Sequence, residues 1–314
     1  MGSIISRKVK GKEYFYIEQT IRIGKKYQKI SVYLGNQKPL TSELPIFKKK
    51  LQKRVNAFYS NELLKPETSY VNIAAAKKLE TIKQETNTFI ENLNSIQKKH
   101  WIERERERFI TNTNAIEGST LTLNETHRIL KLDEKIGTER ERLEVLNMEK
   151  CLQRYDQYLK INQELNEKMV LQLHYILLDK IPHYDQYKGI WRPVDVEIRT
   201  SQFEFPHFQY VPGEMRKLFE WYYEKKDRIH PLELAAVFHC QFTTIHPFAD
   251  GNGRISRLLM NYILQYAQFP FTNIPYSKQK EYFETQEKGH HSQYQLFTQF
   301  LIKQLQQNYR EIKK

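Results

Sequence analysis

The chain is poor in residues that interrupt secondary structure, and it is poor in cysteine. Its 314 residues include 11 glycines and 11 prolines, where average usage predicts about 38 of the two together. This scarcity excludes collagen-like and low-complexity chains and favours a mainly helical protein. Two cysteines, Cys151 and Cys240, cannot build a disulfide framework or a cysteine-based zinc site. An aromatic content of 13% excludes general disorder.

The sequence also lacks a long apolar run. Its longest uncharged stretch, Leu258 to Ser277, contains Asn, Gln and two prolines, so it does not suit a bilayer span. The first eight residues lack the apolar core of a secretory signal. We therefore expect a cytoplasmic protein without a membrane partner.

Positive charge is present in excess but is unevenly distributed. The whole chain has a formal net charge of +13. Residues 1–54 contain 14 Lys+Arg and 3 Asp+Glu, a net charge of +11, and the remaining residues contain 36 and 34, a net charge of +2. A basic excess suggests nucleic-acid binding, and here it restricts that hypothesis to the N-terminal segment. No helix-turn-helix segment is evident in the sequence, so we do not expect nucleic acid as a partner.

Periodicity predicts helices interrupted by two hairpins. Between residues 13 and 34, apolar side chains alternate on both sides of a Gly-Lys-Lys turn, which predicts a hairpin. A second run of β-favouring residues, Val194 to Tyr210, predicts another hairpin inserted among helices. Apolar residues at helical spacing predict the remaining elements. The predicted helices cover 44–112 with a break near Pro66, 123–131, 139–160, 163–179, 211–225, 231–245, 253–267, 278–288 and 292–311.

The most informative segment is the twelve-residue loop His246-Pro-Phe-Ala-Asp-Gly-Asn-Gly-Arg-Ile-Ser-Arg257. Gly251 and Gly253 permit positive φ, so successive backbone N–H groups can form an anion nest at the start of the next helix. Arg254 and Arg257 are three apart and share a helix face. Together these groups predict a site for a nucleotide polyphosphate.

Two further residues of this loop add chemistry to the anion site. Asp250, an acid beside a phosphate nest, indicates a cation such as Mg²⁺ between carboxylate and phosphate. His246 is the group able to accept a proton near neutral pH. Taken singly, a histidine is more often a packing residue and a Gly-x-Gly is usually a turn; the complete string is what predicts a catalytic site.

This string resembles the signature of the Fic family (filamentation induced by cAMP), His-Pro-Phe-x-(Asp/Glu)-Gly-Asn-Gly-Arg-x-x-Arg, without a gap. Upstream, Thr113-Asn-Ala-Ile-Glu117-Gly resembles the family's inhibitory motif, and a Thr-Leu-Thr-x-x-Glu run follows it. With Gly189-Ile-Trp-Arg192, the resemblance covers about residues 100–300. It implies a helical bundle with an inserted β-hairpin flap and a Fic core over 100–314, with an inhibitory helix near 105–117. The basic N-terminal hairpin, residues 1–40, lies outside the resemblance, and periodicity assigns residues 41–99 to a helical N-terminal region.

The resemblance implies transfer of AMP from ATP, with Mg²⁺, to Ser, Thr or Tyr hydroxyls of target proteins. His246 would be the base, and Phe248 would anchor the loop. Asp250 would hold Mg²⁺, Arg254 would stabilise the leaving pyrophosphate, and Arg257 would bind the γ-phosphate. The remaining implied ATP-binding residues are Gly251, Asn252 and Gly253 around the phosphates, Ile198, Arg199, Thr200 and Ser201 of the flap, and Tyr282 against the adenine.

Glu117 is expected to regulate this activity. A carboxylate paired with Arg257 occupies the guanidinium that the γ-phosphate needs, so the resting enzyme is expected to be held off in cis. The resemblance also allows removal of AMP through Glu117 and a homodimer. The alternatives are a different nucleotide donor on the same fold, since His290 stands where relatives have an Asn near the base, a silent binding module, and a non-enzymatic nucleic-acid-binding regulator acting through the basic N-terminus.

Overall fold

The structure, a computed structural model, describes residues 2–23, 26–197, 201 and 203–312. These residues form a mainly helical protein with a small antiparallel sheet, as the sequence predicts. None of the helices in this part of the chain combines the length and apolarity needed to cross a bilayer. The chain divides into two compact units: residues 1–66 with 72–84, and residues 67–71 with 85–314.

The first unit is a three-stranded sheet covered by a helix. The strands are β1 (Ser3–Val9), β2 (Lys12–Ile23) and β3 (Lys26–Gly35), in the order β1-β2-β3. Helix α1 (Leu44–Leu63) packs on one face of this sheet, because the alternation of β2 and β3 directs their apolar side chains to that side. The core there contains Ile17, Ile21, Val32, Leu51 and Val55.

The predicted N-terminal hairpin is therefore incomplete, since β1 adds a third strand. Strand β1 is hard to predict, because its residues are mostly exposed and few are apolar. The sequence signal for the β1–β2 turn is the glycine of Lys10-Gly11. Both residues have positive φ in the structure, 48° and 75°, as a tight hairpin turn requires. The predicted turn at Gly24 and Lys25 lies outside the described residues, and Ile23 pairs with Lys26 across it.

The second unit contains most of the helices, and α2 (Ile73–Asn92) runs from the first unit into it. Helix α3 (Ser95–Ile116) begins in a reciprocal cap between Asn94 and Gln97 and ends immediately before Glu117. The Thr-Leu-Thr-x-x-Glu run is another such cap, in which Thr122 and Glu125 open α4. The remaining helices are α4 (Leu123–Leu132), α5 (Glu139–Lys160), α6 (Glu167–Leu177), α7 (Val211–Lys225), α8 (Pro231–Ile245), α9 (Asn252–Tyr266), α10 (Gln279–His290) and α11 (Tyr294–Ile312).

Helix α8 is the centre of this bundle. It packs against α7, α9, α10 and α11, and twelve of its fifteen residues are buried, so its sequence reads as apolar on every side. Proline suits a helix start, and Pro231 is the first residue of both the predicted helix and α8. The loop that begins at His246 is thus carried between two buried helices, α8 and α9.

The second predicted hairpin is not formed by the described residues between Val194 and Tyr210. These residues are irregular and end in a short 3₁₀ turn, Phe208–Tyr210, before α7. The reason is that Arg192 takes up backbone groups on both sides, since its guanidinium donates to the carbonyl oxygens of Val194 and Pro206. Residues 198–200 and 202, the centre of that prediction, lie outside the described residues.

Candidate active site

The loop between α8 and α9 is held closed by its own residues. His246 and Gly251 both have left-handed φ values, 50° and 83°. The side chain of Asn252 accepts the Phe248 backbone N–H at 2.9 Å and donates to the Phe248 carbonyl at 2.7 Å. Asn252 therefore contributes to an anion site through its backbone, because its amide group is used within the loop. The loop presents the N-terminus of α9, with its partial positive charge, to the space above it.

Phe248 anchors the loop to α6, as the sequence analysis expects. Its buried ring stacks on His174, with centroids 3.5 Å apart and an angle of 9° between the planes. The Gly189 N–H donates to His174 Nδ1 at 3.0 Å, so Nε2 carries the proton and donates to the Asp250 carbonyl at 3.0 Å. Burial lowers the pKa of His174 to about 4. Neutral His174 thus holds the loop at two points, the Phe248 ring and the Asp250 carbonyl.

Arg192 holds the first residues of the loop, His246 and Pro247. Its Nε donates to the His246 carbonyl and its backbone N–H to the Pro247 carbonyl, both at 2.8 Å. The guanidinium is fully buried, and the carbonyls around it replace the water that it loses. Arg192 therefore determines where the His246 backbone lies.

His246 itself is half-buried at the junction of two cavities. Desolvation by burial lowers its pKa to about 3, and the Thr243 carbonyl opposes this shift without forming a hydrogen bond of normal geometry to Nδ1. The imidazole is neutral at physiological pH and is therefore able to accept a proton. The ring of Phe205 lies 4.9 Å from it.

Asp250 belongs to a closed ring of four charges. Its Oδ1 accepts the Gly251 N–H at 2.6 Å and Arg254 Nη2 at 3.1 Å, and its Oδ2 accepts Arg140 Nη2 at 2.8 Å. Glu144 completes the ring, because its Oε1 lies 2.9 Å from both Arg140 Nε and Arg254 Nη1. Arg254 is buried, whereas the Arg140 side chain is 44% exposed. Arg140 is thus the exposed member of the ring, and it covers Asp250 Oδ2.

These residues fit a magnesium ion that is held largely by phosphates. Asp250 offers one hard carboxylate at the edge of the anion site, with 20% of its side chain exposed. Within the described ranges no group of three or more His, Cys, Asp or Glu side chains could hold a metal alone. One carboxylate with substrate phosphates is a usual environment for Mg²⁺.

Arg257 is held by the end of α3, and Glu117 contacts it as the sequence analysis predicts. Its Nε donates to Thr113 Oγ1 at 2.8 Å, and its Nη2 donates to the Thr113 carbonyl at 2.9 Å and to Glu117 Oε1 at 2.7 Å. Its Nη1 donates to the Tyr282 hydroxyl at 3.2 Å. The guanidinium is 2% exposed and Glu117 is 33% exposed, so the carboxylate sits on the open side of a buried cation.

Two cavities meet over this loop. One has a volume of 430 Å³ and is lined by the loop from Ala249 to Gly253. The other has a volume of 490 Å³ and is lined by Arg257 and residues of α10. Glu117, His246 and Gly253 line both. Cavities of this size accommodate a nucleotide, with polar groups at the loop end and aromatic groups at the α10 end.

The structure brings most of the predicted site residues together. His246, Glu117, Arg257, Ser201, Gly253 and Tyr282 line one cavity, and Asp250, Gly251 and Asn252 line the other. Ser201 donates from Oγ to Glu287 Oε2 at 2.8 Å, whereas Ile198, Arg199 and Thr200 lie outside the described residues. Tyr282 is fully buried beneath Arg257, and the neighbouring Phe283 is 42% exposed on the same wall. The role of Tyr282 against the adenine base stays a prediction.

Four supporting residues escaped the sequence analysis as parts of the site: Arg140, Glu144, His174 and Arg192. Arg192 belongs to the Gly-Ile-Trp-Arg segment, which was a signal. His174 and Glu144 lie on buried helix faces, and a charged or ionisable residue in an apolar helical stripe was the available indication. Arg140 lies in a charged run, where spacing alone distinguishes no residue from its neighbours.

Comparison with known proteins agrees with this geometry. Residues 164–264 match the Fic/DOC family. A protein adenylyltransferase Fic from Drosophila grimshawi is 30% identical over 193 residues, which cover 59% of this chain and 38% of that protein. The solved structure of Fic-1 from C. elegans has a TM-score of 0.67 at 24% identity and covers 87% of this chain and 77% of its own.

A second solved structure, a Fic-domain signalling protein from Bacteroides thetaiotaomicron, has a TM-score of 0.65 at 24% identity. The match covers 74% of this chain and 93% of that one. These structural likenesses establish the fold, and the sequence match spans 38% of the length of the Drosophila relative. With the loop, its anchors and its two cavities in place, residues 164–264 are similar to the Fic/DOC family, and the chain has the fold of Fic-domain proteins.

Proposed function

We propose that the protein is an adenylyltransferase that moves AMP from ATP to a hydroxyl side chain, Ser, Thr or Tyr, of a target protein. The observation that carries the proposal is a neutral, half-buried His246 on the wall shared by two cavities, beside the anion-binding start of α9. The relatives named protein adenylyltransferase support the same reaction.

In the proposed reaction the target oxygen forms a bond to the α-phosphorus, and the bond from that phosphorus to the β-phosphate bridging oxygen breaks. His246 accepts the hydroxyl proton, and pyrophosphate leaves. The Gly251 N–H is used by Asp250 Oδ1, so the backbone N–H groups of Asn252 and Gly253 would bind the phosphates, and Arg254 would neutralise the charge that grows on the leaving group. Asp250 would hold Mg²⁺, which supplies charge neutralisation between the phosphates.

Glu117 is proposed to inhibit the enzyme from within the same chain. It occupies Arg257 Nη2 at 2.7 Å, on the side of the guanidinium that faces the cavity. The γ-phosphate needs the same donor, so productive ATP binding requires Glu117 to leave. Glu117 and His246 line the same two cavities. Once AMP has been transferred and pyrophosphate has left, Glu117 would orient a water there for the hydrolytic removal of AMP.

The experiment uses ATP labelled in its α-phosphate with the full chain and lysate proteins. We expect weak labelling by the parent, strong labelling by Glu117→Gly and none by Glu117→Gly/His246→Ala. Labelled UTP and GTP run in parallel, because the base end of the cavity contains His290. Labelling by Glu117→Gly/His246→Ala equal to that by Glu117→Gly would disprove the mechanism. Preferential transfer of UMP or GMP would show that UTP or GTP, and not ATP, is the donor.

A further inference from the structure

The basic N-terminal segment has no part in the site described above. Residues 1–54 carry a net charge of +11, and their described part folds into β1, β2, β3 and the first half of α1. This charge resides in a folded surface with its own apolar core. A compact unit of this kind presents its charges in a fixed arrangement, which a disordered tail does not.

One face of the sheet is open and combines aromatic rings with basic groups. Ile17 and Val32 point toward α1, so their neighbours Tyr16 and Tyr33, which pair across β2 and β3, point to the opposite face. The two rings lie 5.4 Å apart, and Tyr33 is 49% exposed. Arg7 lies over the Tyr16 ring at 4.8 Å.

Lysines extend this face at its end and edge. Lys8, Lys10 and Lys12 are exposed around the β1–β2 turn, and the Lys29 side chain is 71% exposed on β3. Glu18 is the acid on this face; it pairs with Arg7 and lies 3.9 Å from Lys29. Residues 1–54 contain 14 Lys+Arg and three acidic residues, so basic groups far outnumber acids in this segment.

We propose that this open face and the β1–β2 turn bind nucleic acid. The lysines would contact phosphates, and the tyrosines would pack on bases or sugars, as aromatic residues on exposed sheets do. The twelve-residue β2 is ~40 Å long, comparable to one turn of duplex. The absence of a helix-turn-helix segment does not oppose this, because sheets also bind nucleic acids.

The test measures binding of the full chain to fluorescent duplex DNA, single-stranded DNA and single-stranded RNA of one sequence, from about 50 to 200 mM salt. We expect affinity for at least one probe to fall steeply with salt. Replacing Lys8, Lys10 and Lys12 together by Gln should reduce the slope of log affinity against log salt by about 2 to 3, since each phosphate contact contributes about 0.7 to 0.9.

The matched control replaces three exposed lysines of the second unit, Lys98, Lys99 and Lys168, by Gln, with the same change in net charge. This variant, and His246→Ala, should bind as the parent does. Tyr33→Ala should weaken the preferred probe several-fold. The proposal is overturned if no probe binds at low salt, if the control lowers the slope as much as the turn variant, or if poly-glutamate competes as well as nucleic acid at equal charge.

Discussion

The contact between Glu117 and Arg257 makes a quantitative prediction for ATP binding. In Glu117→Gln the carboxylate becomes a neutral amide of the same size, while Thr113 and Tyr282 still hold the guanidinium in place. A hydrogen bond between charged groups contributes about 1.5–3 kcal/mol, and an exposed ion pair contributes about 0–1 kcal/mol. With Glu117 33% exposed, we take about 1–2 kcal/mol, which lies between these limits.

A γ-phosphate that no longer displaces a carboxylate gains that amount, so ATP should bind about 5- to 30-fold more tightly. Isothermal titration of ATP and Mg²⁺ into the full chain measures this. Glu284→Gln is the matched control, because Glu284 lines the same cavity and is exposed. An equal gain from Glu284→Gln would mean that the effect is general electrostatics, and an unchanged affinity in Glu117→Gln would refute competition for Arg257.

Three further predictions follow from the loop and its supports. Arg140→Gln uncovers Asp250 Oδ2 and should tighten Mn²⁺ binding in the presence of a non-hydrolysable ATP analogue by up to about 5-fold, as measured by EPR; an unchanged affinity contradicts this. Gly253→Ala places a methyl group 2.2 Å from Glu117 Oε1, within the proposed phosphate nest. ATP should therefore no longer raise Tm, even in the double variant Glu117→Gly/Gly253→Ala; a rise in Tm with ATP in that variant would contradict this prediction. Buried His174 is neutral with a pKa of about 4, and below pH 6.5 it gains a proton only when the chain unfolds. The free energy of unfolding should therefore fall by up to about 3 kcal/mol as the pH falls from 6.5 to 4. His174→Gln should reduce this dependence on pH in urea unfolding, and an unchanged slope of unfolding free energy against pH would contradict the prediction.

The sequence predicts the helices well because their signals are local. The predicted helix over 211–225 matches α7, and the predicted helix over 139–160 matches α5, which opens with a Thr138–Glu141 cap. Such caps and apolar stripes depend on residues three or four apart. The described residues of the second predicted hairpin are irregular because the Arg192 guanidinium takes the carbonyls of Val194 and Pro206, 2 and 14 residues away. No local pattern reports that competition.

The residues of the candidate site likewise divide into those that a local motif predicts and those that only packing brings together. His246 and the residues of its loop are contiguous, so a single string predicts them, and Glu117 was predictable through a second motif. The ring of Arg140, Asp250, Glu144 and Arg254 joins two helices and a loop. Its bonded members Arg140 and Asp250 are 110 residues apart in the sequence, and packing determines which arginine of α5 joins the ring.

Charge balance in the site gives Glu117 a second consequence. Arg257 is buried as a cation, and Glu117 is the carboxylate that contacts it. Removing one partner of a pair around a buried charge costs stability, because the cation keeps its desolvation penalty. Glu117→Gly should therefore have a lower Tm than the parent without ATP and a larger rise in Tm with ATP and Mg²⁺, because the phosphate replaces the missing carboxylate. A variant that is more stable than its parent in both conditions would show that Glu117 strains the resting site, and inhibition would then need a cause other than neutralisation of Arg257.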